Sequence, residues 1–342
     1  MAASKLHLVQ LTGPEGRRVA VVEEANLVLL DSLRSVLDIA EHALKESVSV
    51  SAVIKQNLSD QRLAYDAVYN GDSAWRLLPP IDVPEHPERV LVSGTGLTHY
   101  GSARDRQNMH LNTATPEQEA GMTDSMRMFE WGRREGRPVQ GEIGIAPEWF
   151  FKGSGTVLRA HNEPLEIPGY AEDGGEEAEI AAIYVIASDG TPFRLGMCNA
   201  NEFSDHLFER RNYLNLAGSK LRSCSIGPEL VVDADFDDIS GSVRIIRDGK
   251  VLWQKKIRTG ETNMCHSLAN LEHHHFKFEG NRYPGQIHVH FMGADTLSFG
   301  EQIRLHPGDI TEVEFEGFGR ALRNSISAQP PLKTPVQIKT LH

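Results

Sequence analysis

The sequence predicts a mainly β protein of the α+β class. Short runs rich in β-branched and aromatic residues recur along the chain between glycine and proline turns, as at residues 180–186, 193–198 and 287–291. Residues 243–246 and 251–257 flank the sequence R-D-G-K, and an Asp-Gly turn between two such runs predicts a β-hairpin. Strand periodicity alone does not separate mixed sheets rolled around a site from another β-rich sandwich.

Composition restricts the classes of function. The chain has 342 residues and a formal net charge of −12 without a long basic run, so we expect no nucleic-acid partner. It has no run of 18 apolar residues and begins without the apolar core of a signal peptide, so we expect no membrane partner. Three scattered cysteines without a C-x-x-C pair indicate a cytoplasmic protein rather than disulfides or zinc.

Residues 1–85 are predicted to form a small α/β N-terminal domain. Residues 6–11 and 19–30 are typical of strands joined by a G-P-E-G turn. A helix capped by Asp31 or Ser32 is predicted over residues 33–45, and a second helix over residues 50–69. A proline-rich segment at 78–87 leads into a catalytic domain at 86–327, which is followed by a tail at 328–342.

The clearest chemical signal is an acidic pair at the start of a buried strand. Glu177 and Glu179 are two residues apart, so their side chains point to the same face of the strand. Such a pair can be a solvated strand end, but a third carboxylate, Glu202, follows the next strand-like run. Converging buried carboxylates need a cationic partner, and oxygen ligands favour Mg²⁺, with Mn²⁺ or Ca²⁺ as the other candidates.

Further motifs surround these carboxylates in a fixed order. The chain carries F-F-K at 150–152, E-A-E at 177–179, N-E-F-S-D-H at 201–206, Lys220 before I-G-P at 226–228, L-H-P-G-D at 305–309 and G-F-G-R-A-L-R-N at 317–324. This order resembles the fumarylacetoacetate hydrolase superfamily, whose pattern runs F-F-x-K-P, D-x-E-x-E-x-A, N-D-x-S-x-R, a lysine before P-x-G-P, and P-G-D before G-x-G-x-L-x-N. The resemblance covers residues 90–326 and is closest to the sugar-acid branch.

The resemblance implies a catalytic domain of mixed sheets around a metal site, usually within a homodimer. It implies that Glu177, Glu179 and Glu202 bind the metal. It also implies that Lys220 and Lys152 face the substrate, a small anionic 2-keto acid. Because the net charge of the protein is negative, the pocket itself must supply the positive charge that attracts such a substrate.

Several positions depart from the family pattern. Ser102 falls where the hydrolases of the superfamily carry the histidine that activates water, and His99 lies close to it in sequence. Glycine follows Lys152 in place of proline, and His206 stands in place of an arginine. Thr296 is the hydroxyl that survives in the region of a substrate-binding G-T turn. We therefore predict Lys152, Ser102 and Thr296 as substrate-binding residues, with Lys220 and His99 as catalytic residues.

These features predict a hydro-lyase that acts on a 2-keto-3-deoxy sugar acid, for example converting 2-dehydro-3-deoxy-L-arabinonate to 2-oxoglutarate semialdehyde. The metal would polarise the keto group and stabilise the enolate formed when a base removes a C3 proton. The C4 hydroxyl would then leave with a proton from a general acid. Lys220 is predicted to be the base if it is neutral, or an oxyanion partner if it is charged.

Two other functions stay open at the level of sequence. A hydrolase of a 2,4-diketo acid would use the same metal with a base such as His99 or His110. A catalytically silent metal- or metabolite-binding protein would not depend on Lys220 for any turnover. The adjacent histidines at 273–275 do not predict a metal site, because only two of three neighbours can share a face of a regular element.

Overall fold

The computed structural model describes residues 5–104 and 123–341, and most of its regular structure is β-sheet. The strands in these residues are β1 (Leu6–Gly13), β2 (Gly16–Glu23), β3 (Asn26–Leu30), β4 (Leu58–Ala64), β5 (Arg76–Leu77), β6 (Val90–Gly96), β7 (Glu148–Ser154), β8 (Leu158–Arg159), β9 (Leu165–Ile167), β10 (Ala178–Ile186), β11 (Pro192–Asn201), β12 (Cys224–Ile226), β13 (Leu230–Val232), β14 (Ile239–Arg247), β15 (Lys250–Thr259), β16 (Ile287–Phe291), β17 (Ile310–Phe315) and β18 (Leu322–Ala328).

The helices are fewer and mostly short. The α-helices that lie wholly within the described residues are α1 (Val36–Glu46), α2 (Val50–Asn57), α3 (Tyr65–Asn70), α4 (Asp124–Glu135), α5 (His206–Arg211), α6 (Leu216–Lys220) and α7 (Leu268–Phe276). Within the described parts of the chain, no helix has the length and apolar character that a membrane span requires.

Two mixed sheets organise the molecule. The larger has 13 strands, with the order β4-β3-β2-β1-β13-β11-β10-β16-β6-β7 and with β5, β8 and β12 beside that path. The smaller has five strands in the order β15-β14-β17-β18-β9. Most neighbours are antiparallel, while β16 and β6 are parallel, as are β18 and β9. The predicted hairpin is confirmed as β14 and β15.

Each face of the large sheet packs into its own apolar core. One core joins the sheet to helices α1 and α2, and it contains Ile39, Ala181 and Val289. The other joins the sheet to the five-stranded sheet and α7, and it contains Ile180 and Val313. Ile180 and Ala181 fall in different cores because successive side chains of a strand point to opposite faces. Strand β10 is therefore buried on both sides, which explains its continuous apolar sequence.

The N-terminal strands continue the large sheet. Strand β1 pairs antiparallel with β13, with Leu8 opposite Leu230. The hydroxyl of Tyr65 in α3 also donates to Glu229 beside β13, at 2.8 Å. Strands from both sides of residue 85 thus share one sheet, and the division into domains at that residue stays a prediction.

Three elements of the N-terminal part differ from the sequence-based expectation. The first helix begins at Val36, because the side chain of Ser35 caps it by accepting from the amide of Asp38 at 3.0 Å. Residues 19–30 form two strands, since Glu24 reverses the chain with a φ of 54°. The single helix over 50–69 is wrong, because residues 58–64 pair with β3 as strand β4, and this pairing outweighs a weak helical periodicity.

Candidate metal centre

Three carboxylates converge where strands β10 and β11 meet. Glu177 directly precedes β10, Glu179 lies on it, and Glu202 directly follows β11. The two strands are antiparallel, with Ala178 opposite Asn201, so the start of one meets the end of the other. One carboxylate oxygen from each glutamate lies within 4.8 Å of the other two, and all three side chains are buried. The structure therefore brings these three side chains together, as the sequence predicted.

Two buried lysines contact these carboxylates from other elements. Lys220, at the end of α6, donates to Glu177 Oε1 at 2.6 Å and also to Glu202 Oε2. Lys152, on β7, donates to Glu202 Oε1 at 2.7 Å and to the Phe203 carbonyl at 2.8 Å. We call these three glutamates and two lysines the acidic cluster. Each lysine is less than 2% exposed, so its charge depends on these partners for compensation.

The segment after β11 holds this arrangement in place. Ser204 Oγ donates to the Glu202 carboxylate, at 2.9 Å from Oε2, and accepts from Lys220 Nζ at 2.9 Å. Phe203 has a φ of 55°, a conformation that non-glycine residues adopt rarely and that is often found at functional sites. The Phe203 carbonyl accepts from Lys152, and the Ser204 hydroxyl accepts from Lys220. This turn therefore holds both lysines next to the Glu202 carboxylate.

Glu179 differs from the other two carboxylates in its recorded partners. Its Oε2 accepts from the backbone amide of Gly293 at 2.6 Å. Burial raises the pKa of Glu179 well above its usual value, and the neighbouring charges of Glu202 and Glu177 raise it further. The cluster thus brings more carboxylates than ammonium groups into a buried space, and one carboxylate is costly to ionise there.

The residues present fit a divalent cation. Three carboxylates are the hard oxygen donors that Mg²⁺, Mn²⁺ and Ca²⁺ prefer. Burial is the main cause of the raised pKa of Glu179 and the neighbouring carboxylates add to it, and a bound cation would favour the ionised form of this side chain. Glu177, Glu179 and Glu202 are the residues that would hold it.

The other predicted catalytic residue, His99, lies in a separate hydrogen-bonded position. Its Nδ1 is 2.9 Å from Thr98 Oγ1, and its Nε2 is 3.2 Å from Thr259 Oγ1. Since the Thr98 hydroxyl donates to the Met292 carbonyl, it accepts from His99, which makes Nδ1 the protonated nitrogen. Burial lowers the pKa of His99 to about 3, so the imidazole is neutral at pH 7. Its role as a proton carrier stays a prediction.

The structure does not place the predicted substrate-binding residues in one contact network. Lys152 contacts Glu202, whereas Ser102 Oγ donates to the backbone carbonyl of His99 at 3.2 Å. Thr296 is half-buried in the loop that follows Gly293. Their substrate-binding roles stay predictions, and His110 lies outside the described residues.

Sequence reasoning gave no role to three groups beside the cluster. Glu176 accepts from the amide and the hydroxyl of Ser298, at 2.8 and 2.7 Å. The Gly293 amide contacts Glu179, and His206 Nε2 lies 3.1 Å from Glu177 Oε1. His206 belongs to the motif at 201–206 and Glu176 directly precedes the motif at 177–179, whereas the Gly293 contact is made by the backbone, which no residue type signals.

A second group of buried polar residues lies beneath α7. His288 and His290 point the same way from β16, and the ring of His275 packs against theirs at centroid distances of 4.9 and 4.4 Å. Trp149 Nε1 donates to His275 Nδ1 at 3.2 Å, and Ser93 Oγ is 3.0 Å from His290 Nδ1. Burial lowers the pKa of His288 to about 4 and that of His290 to about 3. We call these three histidines the histidine cluster.

The fold and the acidic cluster together define a mainly β scaffold with a carboxylate site that can hold a cation. No protein-family model and no curated protein matches the chain. Solved structures do match it. A 2-keto-3-deoxyarabinonate dehydratase in a hexagonal crystal form superposes with a TM-score of 0.68 at 18% identity, over 95% of this chain and 99% of that chain.

Two further structures extend this comparison. A 2-keto-3-deoxy-D-arabinonate dehydratase complexed with magnesium and 2,5-dioxopentanoate has a TM-score of 0.67 at 18% identity, over 95% of this chain and 99% of that chain. The 5-carboxymethyl-2-hydroxymuconate delta-isomerase of Mycobacterium smegmatis has a TM-score of 0.56 at 18% identity, over 94% of this chain and 99% of that chain. The chain therefore has the fold of these proteins along nearly its whole length, and the predicted fold class is confirmed.

Proposed function

We propose that this protein is a divalent-metal-dependent hydro-lyase that removes water from a 2-keto-3-deoxy sugar acid. The observation that carries the proposal is the acidic cluster, in which three buried carboxylates lie within 4.8 Å of one another beside two buried lysines. This much buried charge would destabilise a core that served packing alone, because desolvation of each ion is costly. The same charges are needed in a site where the carboxylates bind a cation and the lysines attract an anionic substrate.

The fold comparison supports the substrate class. A protein of this fold binds magnesium together with 2,5-dioxopentanoate, and its name gives its activity as dehydration of 2-keto-3-deoxy-D-arabinonate. We extend to this chain the metal, which we take to be Mg²⁺, and the class of substrate, a 2-keto-3-deoxy aldonate. The stereochemistry of the substrate is not part of the proposal, since the two sequences are 18% identical.

A cation bound by Glu177, Glu179 and Glu202 would supply Lewis acidity, which makes the protons next to a ketone easier to remove. The chain supplies the rest of the chemistry. The reaction removes one C3 proton and the C4 hydroxyl, and these leave together as water. It therefore needs a proton acceptor and a proton donor, which can be the same group.

We assign the C3 proton to Lys220, which would take it in the neutral amine form and, as the resulting ammonium, return a proton to the departing C4 hydroxyl, so that the two leave as water. Its Nζ lies at the centre of the cluster, where it contacts Glu177 at 2.6 Å and Ser204 at 2.9 Å. Phe150 covers Lys220 with its ring, whose centroid is 4.8 Å from Nζ, and this keeps water away from the amine. Lys152 would instead hold the Glu202 carboxylate in position, because both its hydrogen bonds go to Glu202 and the adjacent carbonyl.

The test is turnover of the purified protein on 2-keto-3-deoxy aldonates and on 2,4-diketo acids, with the products identified by mass. We expect a product that is lighter than the substrate by one water, formed with Mg²⁺ and lost with EDTA. Lys220→Ala and Glu179→Ala should each reduce this turnover by at least about 100-fold, the usual effect of losing a general base or an electrostatic group.

Other products would point to other functions. Cleavage of a diketo acid into pyruvate and a smaller acid would make the protein a carbon–carbon hydrolase with the same metal. Full turnover in Lys220→Ala would remove the assigned role of that lysine. Cation binding without turnover of either substrate set would indicate a binding protein.

A further inference from the structure

We infer that His206 is a positioning residue for the Glu177 carboxylate, and that residue 175 must be glycine for the imidazole to occupy this position. The inference rests on the proposed cation site and adds to it two residues that determine cation affinity. It follows from four observations: a hydrogen bond, a steric limit, a buried nitrogen atom and a rigid backbone.

The hydrogen bond joins the imidazole to a carboxylate of the acidic cluster. His206 Nε2 lies 3.1 Å from Glu177 Oε1, the oxygen that also accepts from Lys220 Nζ at 2.6 Å. An ionised carboxylate can only accept, so Nε2 carries the proton and donates it. The carboxylate is therefore held by donors from two different helices, α5 and α6, and its orientation about the last side-chain bond is fixed.

The steric limit comes from Gly175. A Cβ atom on this residue would lie 2.2 Å from His206 Nδ1 and 2.5 Å from its Cε1. The backbone of Gly175 cannot move aside, because it exchanges two hydrogen bonds with Ser204, at 2.9 and 3.0 Å. Any side chain at 175 would therefore push the imidazole away from Glu177, and the glycine is explained by the ring rather than by backbone conformation.

The buried nitrogen atom shows that the ring is not held by a second polar contact. His206 is 1% exposed, and its Nδ1 has no hydrogen-bond partner among the residues that the structure describes. The ring otherwise packs against Phe299, with centroids 5.2 Å apart. A buried polar atom without a partner costs free energy, and the contact of Nε2 with Glu177 is the one hydrogen bond recorded for this ring within the described part of the chain.

The backbone of His206 is fixed at the start of α5. Asp205 caps this helix by accepting from the Phe208 amide at 2.9 Å, and it also accepts from Arg222 Nη2 at 3.0 Å. The imidazole is therefore directed at Glu177 by a rigid support. Groups that hydrogen-bond to metal ligands orient them, and their loss usually costs about 10- to 100-fold in metal affinity.

The experiment measures Mg²⁺ binding to the metal-free protein by calorimetry, and Mn²⁺ binding by electron paramagnetic resonance. We expect His206→Ala to raise the Kd for the cation by about 10- to 100-fold. Gly175→Ala should raise it to a similar extent although the histidine is still present. His206→Gln should recover part of the affinity, because its amide can donate to Glu177.

The matched control is His161→Ala. His161 is also a buried histidine, but its ring contacts the Tyr69 carbonyl and the Arg323 amide, not the acidic cluster. We expect its loss to lower the melting temperature without changing the Kd.

The outcomes separate the inference from the proposed function. Unchanged cation affinity in folded His206→Ala, or in Gly175→Ala, would overturn the inference and leave the metal site intact. If His206→Ala does not fold, His206→Gln and Gly175→Ala decide in the same way. Failure of the unaltered protein to bind any divalent cation would overturn the proposed function itself.

Discussion

The acidic cluster and the histidine cluster are both buried, but they differ in the charge that their side chains carry. The acidic cluster sets three carboxylates against two lysines in a space that water does not reach. The histidine cluster contains neutral imidazoles, because burial lowers the pKa of each ring below neutrality. Its recorded hydrogen bonds join the rings to one another, to Trp149 and to Ser93.

This difference shows which kind of burial marks a binding site. Neutral imidazoles need no counterion, so a cluster of them is compatible with an ordinary interior even though Nε2 of His288 and of His290 has no hydrogen-bond partner among the described residues, and depressed pKa values alone do not indicate function. The acidic cluster instead brings three carboxylates together, and burial together with the neighbouring charges of Glu202 and Glu177 raises the pKa of Glu179. The acidic cluster is therefore the one that fits an additional cation.

The largest expected effect comes from neutralising the carboxylate that both lysines share. Glu202→Gln would leave Lys152 and Lys220 buried with fewer anionic partners. Removing one partner of a buried ion pair usually costs about 3–5 kcal/mol, and we expect a loss of this size in the free energy of unfolding of the metal-free protein. Urea unfolding measures it, and turnover should disappear in the same variant.

Glu179→Gln is the matched comparison for that prediction. The amide oxygen of glutamine can still accept from the Gly293 amide. The substitution removes a carboxyl group whose ionised form is disfavoured by burial and by the neighbouring carboxylates. We expect the metal-free variant to be at least as stable as the original protein, although it should bind the cation poorly. A large loss of stability in this variant, equal to that of Glu202→Gln, would contradict the view that the cluster carries excess negative charge.

Much of the acidic cluster was predictable because strand alternation and motif order constrain it. The spacing of Glu177 and Glu179 required a shared face, and the order of the motifs brought Glu202 and Lys220 to the same place. The large mixed sheet follows from the resemblance. The edge strand at 58–64 was missed because its pairing with β3 is a tertiary interaction that local periodicity does not encode.

The histidine cluster was not predictable in the same way. Residues 273–275 follow one another on α7, whereas His288 and His290 lie on a strand that the chain reaches later. Only the packing of α7 on β16 brings His275 to the other two. The contact between Gly175 and the His206 ring was not predictable either, because it also depends on tertiary packing. Nothing in the sequence around residue 175 or residue 206 indicates that the two residues are neighbours.

The next largest expected effect is a loss of folding stability when the pH is lowered, and it arises from the buried histidines. The pKa of His288 is about 4 and that of His290 is about 3 in the folded protein, against about 6.5 in an unfolded chain. The unfolded chain therefore binds protons first, so their contribution to stability is complete above pH 6.5 and is lost as the pH falls toward 4. At pH 5 each histidine would cost about 2 kcal/mol, from 1.36 kcal/mol per pKa unit.

Unfolding in urea at pH 7.5 and at pH 5 measures this loss. His290→Leu should be less sensitive to this change of pH than the original protein, because one buried group no longer titrates on unfolding. Glu179 should act with the opposite sign, since a carboxyl group whose pKa is raised by folding is stabilised as the pH falls. An acid sensitivity that is the same in His290→Leu and in the original protein would place its origin outside the histidine cluster.

The smallest expected effect tests whether the histidine cluster matters to the proposed reaction at all. Ser93→Ala removes the hydroxyl that lies 3.0 Å from His290 Nδ1 and leaves the packing of β6 against β16 in place. One hydrogen bond between neutral groups contributes about 1 kcal/mol, so the melting temperature should fall by a few degrees. Turnover and cation affinity should not change, because none of the recorded contacts of Ser93 and His290 reaches the acidic cluster. A fall in either would mean that the two clusters are coupled through the sheet, and that neutral burial in this protein also serves the reaction.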